Sequence, residues 1–151
     1  MTEEWLIDGY NLLYDLKSCK DGPVTRERLL NRLADFASQT GRRLLVVLDG
    51  KGFDSEWHAF QTPQFQIVFS QSISADSYIE AALCQKKGQC RFFVVTRDRA
   101  ITNMACGFGA HVLTTEQFRG LLTESDQERR DVLLRERVKS HTFNRPFDQK
   151  I

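Results

Sequence analysis

Two hydrophobic periodicities alternate along the chain. Short apolar runs recur as EWLID (4–8), LLVVLD (44–49), FQIVFS (65–70), FFVVT (92–96) and HVLT (111–114), all of strand length. LLVVLD and FFVVT are apolar throughout, as central strands covered on both faces are. Between the runs lie stretches with helical spacing. Leu29, Leu30, Leu33, Ala34, Phe36 and Ala37 mark a helix that starts near Thr25 and stops at Gly41. Ser74 can cap a helix over 75–85 that offers Tyr78, Ile79, Ala82 and Leu83 to a core. A short helix follows Asp98 and is broken by Gly107 and Gly109. Thr114 with Gln117, and Ser125 with Glu128, have capping-box spacing and predict two closing helices. The stretch from Lys17 through Cys19, Asp21 and Gly22 to Pro23 reads as a loop. Residues 51–63 read as a short helix or an irregular crossover. Periodicity fades from about Ser140, so 1–140 is expected to form one domain and 141–151 a tail.

Strands that alternate with helices predict an α/β fold, a mostly parallel sheet of about five strands wrapped on both sides. Right-handed crossovers then bring every strand-to-helix loop to one edge. Ligands of such sheets bind at that edge, near the point where strand order reverses.

Composition narrows the class. The 151 residues are 41% hydrophobic and 27% charged, with net charge +1, which suits one soluble domain with a real core. Near-neutrality excludes a polybasic nucleic-acid binder, so any such binding must use a local patch. No apolar run approaches the roughly 20 residues of a membrane span. The acidic start MTEEWLID leads straight into a strand and is not read as a signal peptide. Cys19, Cys84, Cys90 and Cys106 form no CxxC pair, which argues against a zinc site or a disulfide framework. They are expected to be small buried residues of a cytoplasmic protein.

The strand ends carry the chemistry. Asp8 follows the first strand in DGYN, Asp49 ends the second in LDGKG, Asp76 lies in the first turn of the helix capped by Ser74, and Asp98 follows FFVVTR. Each has an ordinary role as a turn, cap or helix-dipole partner. Parallel topology nevertheless brings all four to one place, where like charges repel and resist desolvation. A metal ion or a reaction makes that cost tolerable. Gly9 permits a tight turn and close approach of a ligand, and Asn11 can bond at the same mouth. Glu80 is one turn beyond Asp76, and Thr96 can bond a carboxylate or a water. Lys51, Arg97 and Arg99 are candidate phosphate contacts, or solvated and salt-bridged side chains. Carboxylates without histidine or cysteine ligands suit a hard cation, Mg2+ or Mn2+. Such an ion suits phosphodiester hydrolysis.

DGYNLL (Asp8–Leu13), VVLDG (Val46–Gly50), SADSYIE (Ser74–Glu80) and VVTRD (Val94–Asp98) together resemble the NYN domains, a branch of the PIN-like nucleases. Within that branch the chain is similar to the bacterial YacP-like group, which includes a ribosome-associated endoribonuclease. The resemblance implies a PIN-like three-layer α/β/α sandwich and metal-assisted cleavage of RNA. By position, Asp8 and Asp76 match the principal catalytic acids and Asp98 supports them, which makes these three the implied metal ligands, and Asn11 belongs to the site. Asp49 matches a position that varies in chemistry. Arg97 departs from the pattern, because the family often has serine or threonine directly before the aspartate. The implied partners are single-stranded RNA or mRNA and the ribosome, with bases stacking on Tyr10, Phe53 or Trp57. A monomer or weak homodimer is expected.

Arg129, Arg130, Arg135, Arg137 and Lys139 on the closing helices can face RNA, or pair with Glu128, Asp131 and Glu136 along their own helix. A dinucleotide-binding domain is disfavoured: DGYNLL lacks GxGxxG, and GFGAH follows a helix rather than a strand. A phosphoacceptor receiver is disfavoured too, since HVLTTEQ carries no lysine after the last strand. The competing reading is an RNA- or ribosome-binding module with weak or no cleavage.

Overall fold

The computed structural model describes residues 2–17, 26–50 and 61–150. Five strands form one all-parallel sheet: β1 (Thr2–Asp8), β2 (Arg43–Leu48), β3 (Phe65–Phe69), β4 (Cys90–Val95) and β5 (His111–Leu113). Their order is β3-β2-β1-β4-β5. Five helices occur among the described residues: α1 (Gly9–Lys17), α2 (Arg26–Thr40), α3 (Ala75–Gln85), α4 (Arg99–Gly107) and α5 (Thr115–Lys150).

Alternate residues of each strand feed two cores, one per face, as a two-residue period requires. Trp5 and Ile7 of β1 pack with Leu12, Leu13, Leu29, Leu30, Leu33 and Phe36 of α1 and α2, and with Phe118 and Leu122 of α5. Leu6, between them in sequence, joins Ile79 and Leu83 of α3 and Ile101 and Ala105 of α4 on the other face. Trp5 stacks on Phe93 at 4.5 Å between ring centroids and meets Phe36 edge-on at 6.2 Å. The α/β/α sandwich expected from the alternation is the fold observed.

The chain runs from β1 outward to β2 and β3, then returns to the other side of β1 for β4 and β5. Strand order therefore reverses between β1 and β4, and a crevice opens there beyond the carboxyl ends. Ile7 pairs with Val95, so Asp8 and Thr96 are the next residues out on neighbouring strands.

Four expectations need correction. The segment after Asp8 is helix α1 directly, with no turn between, and it runs to Lys17. Leu12 and Leu13, fully or nearly buried, hold it against the sheet. The two closing helices are one helix, α5, helical in backbone to Lys150. Thr114 and Gln117 do form the reciprocal box, at 2.9 and 3.1 Å. Ser125 is no cap: it is buried against α2, and its hydroxyl donates to Gln39 Oε1 at 3.1 Å. Arg129 pairs with Asp35 of α2 at 2.5 Å rather than with an acid of its own helix. Cys84 and Cys106 are exposed and Cys90 half-buried, all three with free thiols; the core-facing places beside the first two belong to Leu83 and Ala105. Cys19 lies outside the described residues.

Candidate active site

Asp8 is the last residue of β1, half-buried at the reversal point. Its Oδ1 accepts a hydrogen bond from the Asn11 amide at 3.3 Å, in the first turn of α1. That turn can form against the sheet because residue 9 is glycine. A Cβ there would stand 2.5 Å from Leu48 Cδ2, 2.9 Å from Val46 Cγ1 and 3.2 Å from the Val47 carbonyl oxygen. The close approach that Gly9 permits is thus to β2, not to a ligand.

Asp49 follows β2. Its Oδ1 accepts from the Ser70 hydroxyl at 3.2 Å and from the Ala75 amide at 3.3 Å. It therefore fastens the start of α3 to the end of β2 rather than shaping its own turn. Ser70 also accepts from the Gly50 amide at 3.0 Å, so this buried hydroxyl joins both strand ends. Asp76 is the second residue of α3, which Ser74 caps by accepting from the Ser77 amide at 3.1 Å. Asp76 is exposed. Glu80, a turn further on, is exposed as well and is not among the charges acting on Asp8 or Asp76.

Thr96, fully buried, follows β4 and accepts from the Asp98 amide at 3.1 Å. Asp98 is the N-cap of α4: its Oδ1 accepts from the amides of Ala100 at 2.7 Å and Ile101 at 3.3 Å. Both bonds use Oδ1, which leaves Oδ2 for another partner. Arg97 turns away from the cluster to Asp15 of α1, with Nη1 and Oδ1 2.7 Å apart. Its amide donates to Asn11 Oδ1 at 2.7 Å. Arg99 is exposed at the first position of α4. Lys51, Phe53 and Trp57 lie outside the described residues.

Electrostatics joins the four aspartates into one site. Burial pushes the Asp8 carboxyl from the ordinary 3.8 up to about 6; the Asn11 amide opposes this, and the charges of Asp76, Asp98 and Asp49 add to it. Asp76 is also raised, first by partial desolvation and then by Asp98 and Asp49. No cation is among the charges acting on either group among the described residues. The structure thus brings Asp8, Asp49, Asp76 and Asp98 together; the Asn11 amide orients the Asp8 carboxylate, and Thr96 holds the Asp98 amide. It does not bring Glu80 or Arg97 to the same purpose. Among the described residues, no three His, Cys, Asp or Glu side chains stand close enough to hold a metal ion as they are.

Ser70, Asp15 and Thr115 escaped the sequence reading. Asp15 is one helical turn from Asn11, a relation visible only once residues 9–17 are recognised as helix. Thr115, fully buried, donates to Asp15 Oδ2 at 2.8 Å.

A family model for the YacP-like NYN domain matches residues 5–151. The chain belongs to the YacP-like NYN family. It is accordingly a domain of nuclease type with an RNA-related function. No curated protein matches it. Among solved structures it is similar to Rae1 (YacP) from Bacillus subtilis, with TM-score 0.72 and 22% identity over 97% of this chain and 88% of that one. A tryptophan-to-leucine mutant of the same Bacillus subtilis protein gives TM-score 0.66 and 22% identity over 93% and 84%. At that identity the likeness shows the fold. No helix among the described residues is long and apolar enough to cross a membrane.

Proposed function

We propose that this YacP-like NYN domain is a metal-dependent endoribonuclease that cleaves single-stranded RNA or mRNA at the mouth formed by Asp8, Asp76 and Asp98. The observation that carries the reading is the Asp8 carboxyl, held half-buried at the strand reversal and raised to about 6 by burial and by three neighbouring carboxylates. A fold that only needed a helix start there has no use for such a cost.

The donor set fits a hard divalent ion. Mg2+ needs only one or two carboxylates, with waters and substrate phosphate oxygens completing its shell. Such an ion does not require the three-carboxylate cage that is absent among the described residues, and the repulsion acting on Asp8 and Asp76 is what a cation relieves. Asp8 and Asp76 would hold the ion, with Asp98 Oδ2 alongside. Bound there, Mg2+ or Mn2+ supplies positive charge for a phosphate oxygen and acidifies water.

The chain's own groups do the rest. With its carboxyl near 6 before an ion binds, Asp8 is mostly ionised at neutral pH and so available to the cation. The attacking water gives a proton to solvent as its oxygen bonds to phosphorus; the bond to the leaving ribose oxygen breaks, and that oxygen takes up a proton from solvent. Asp98 and Thr96 fix the wall of the crevice on the β4 side. Asp76 is exposed to the incoming strand. Among the described residues no cation acts on Asp8 or Asp76 and Arg97 is already paired, so strong attachment to RNA needs a second surface. The ribosome in the cytoplasm is the partner that fits this need.

One observation favours a binding module with weak cleavage instead: the absence, among the described residues, of a preformed metal cage. The two readings separate on incubation of structured and unstructured RNA with Mn2+ or with EDTA, beside Asp76→Asn. Metal-dependent cleavage lost in Asp76→Asn supports the nuclease. Binding without cleavage under every condition supports the module.

A further inference from the structure

Asp15 has no place in the acidic cluster, yet it is tied to it more firmly than any surface carboxylate needs to be. Its side chain is only 14% exposed, and both oxygens are engaged. Oδ1 faces Arg97 Nη1 at 2.7 Å, and Oδ2 accepts from the Thr115 hydroxyl at 2.8 Å. Thr115 opens α5, so the carboxylate also sits where a helix N-terminus favours negative charge. Asn11 stands one turn before Asp15 on α1 and accepts the Arg97 amide at 2.7 Å. Arg97 is thus gripped twice by one face of α1, at its main chain and at its guanidinium. Thr96 and Asp98 flank it, so the grip sets the direction of both.

We propose that Asp15 is a positioning residue: through Arg97 and Thr115 it locks the 96–98 segment to α1 and α5, and so holds Asp98 toward Asp8. The proposal rests on the nuclease reading for its effect on cleavage, but the lock itself is a property of the fold. It assigns Arg97 the work of a strap in place of a phosphate contact.

Full-length protein carrying Asp15→Ala, Asp15→Asn, Arg97→Ala or the Asp15→Ala/Arg97→Ala pair tests this. Amide hydrogen exchange is followed by NMR at Arg97, Asp98, Ala100 and Ile101, whose amides bond within or across the segment. In parallel, cleavage of single-stranded RNA is measured with Mn2+. The lock predicts faster exchange at these four amides in Asp15→Ala and Arg97→Ala, with exchange in β1 and β2 unchanged. It predicts kcat reduced about tenfold to a hundredfold with KM within about twofold, as misplacement of a reacting group does. Asp15→Asn, which keeps an acceptor for Arg97 and a partner for Thr115, restores most of the rate. The double variant is no worse than Asp15→Ala alone. Unchanged exchange at the four amides overturns the lock, and so do strictly additive losses in the double variant. Faster exchange with undiminished cleavage overturns the positioning role. Should Asp15→Ala fail to fold, Arg97→Ala and Asp15→Asn decide the matter by the same amides. Should the wild type cleave no RNA, the nuclease reading fails, while the exchange data still judge the lock.

Discussion

Asp8 bears a cost at neutral pH that the fold does not need for its own sake. Its native carboxyl titrates near 6 against an ordinary 3.8, so between those values the native state holds more protons than the unfolded one. Stability from this group is present below about pH 4 and is lost as pH rises through 6. Above pH 6 the ionised form is a penalty of at most about 3 kcal/mol, nearer 1–2 kcal/mol once solvent screening at a half-buried site is allowed for. Asp8→Asn keeps an acceptor for the Asn11 amide and removes the charge. It should therefore be more stable than the wild type at pH 7–8 and equal to it near pH 4, as measured by urea denaturation across pH. A variant less stable at both pH values would show that Asp8 is structural. Gly9 works in the opposite sense. The added methyl of Gly9→Ala meets Leu48, Val46 and the Val47 carbonyl, and should cost about 1–3 kcal/mol in the same experiment.

The elements place these residues through their ends. Ser74 caps α3 and so sets the turn that carries Asp76. Ser74→Ala should lower stability by about 1 kcal/mol in denaturant titration and weaken Mn2+ binding, because the first turn of α3 frays. Ser74 and this helix were legible in the sequence to the residue, since a cap and a run of apolar spacing both announce them. The parallel sheet was legible as well: LLVVL and FFVV are short, wholly apolar runs, as central strands covered on both faces are. The α1 helix was not. DGYN is compatible with a tight turn, and only the space denied to a Cβ by Leu48 and Val46 shows why the glycine is there. Ser125 misled in the other direction. Its spacing to Glu128 is that of a cap, but its partner is Gln39, 86 residues away in the chain. Local pattern is silent about such contacts, and Asp15 with Arg97, 82 residues apart, went unread for the same cause. Of the site, the convergence of four aspartates was legible from topology. Their division of labour was not, because Asp49 and Asp98 owe their structural roles to the amides of Ala75, Ala100 and Ile101.

At the scale of the whole molecule, a net charge of +1 and an acidic mouth leave little to attract RNA from a distance. Arg97 is held by Asp15, and among the described residues no cation acts on Asp8 or Asp76, so the crevice itself offers few phosphate partners. Its affinity for single-stranded RNA should depend weakly on salt, with a slope of log affinity against log salt no steeper than about −2, read by fluorescence anisotropy. A much steeper slope would place a broad basic surface, not the crevice, at the centre of RNA binding. The central claim concerns the crevice itself. Its most direct test is single-turnover cleavage of end-labelled single-stranded RNA by the wild type, Asp8→Asn and Asp76→Asn, each with Mn2+ and with EDTA. The account predicts internal cleavage by the wild type with Mn2+ only, and loss of at least about a hundredfold in each folded variant. Cleavage that persists in EDTA, or that both variants retain in full, would contradict it.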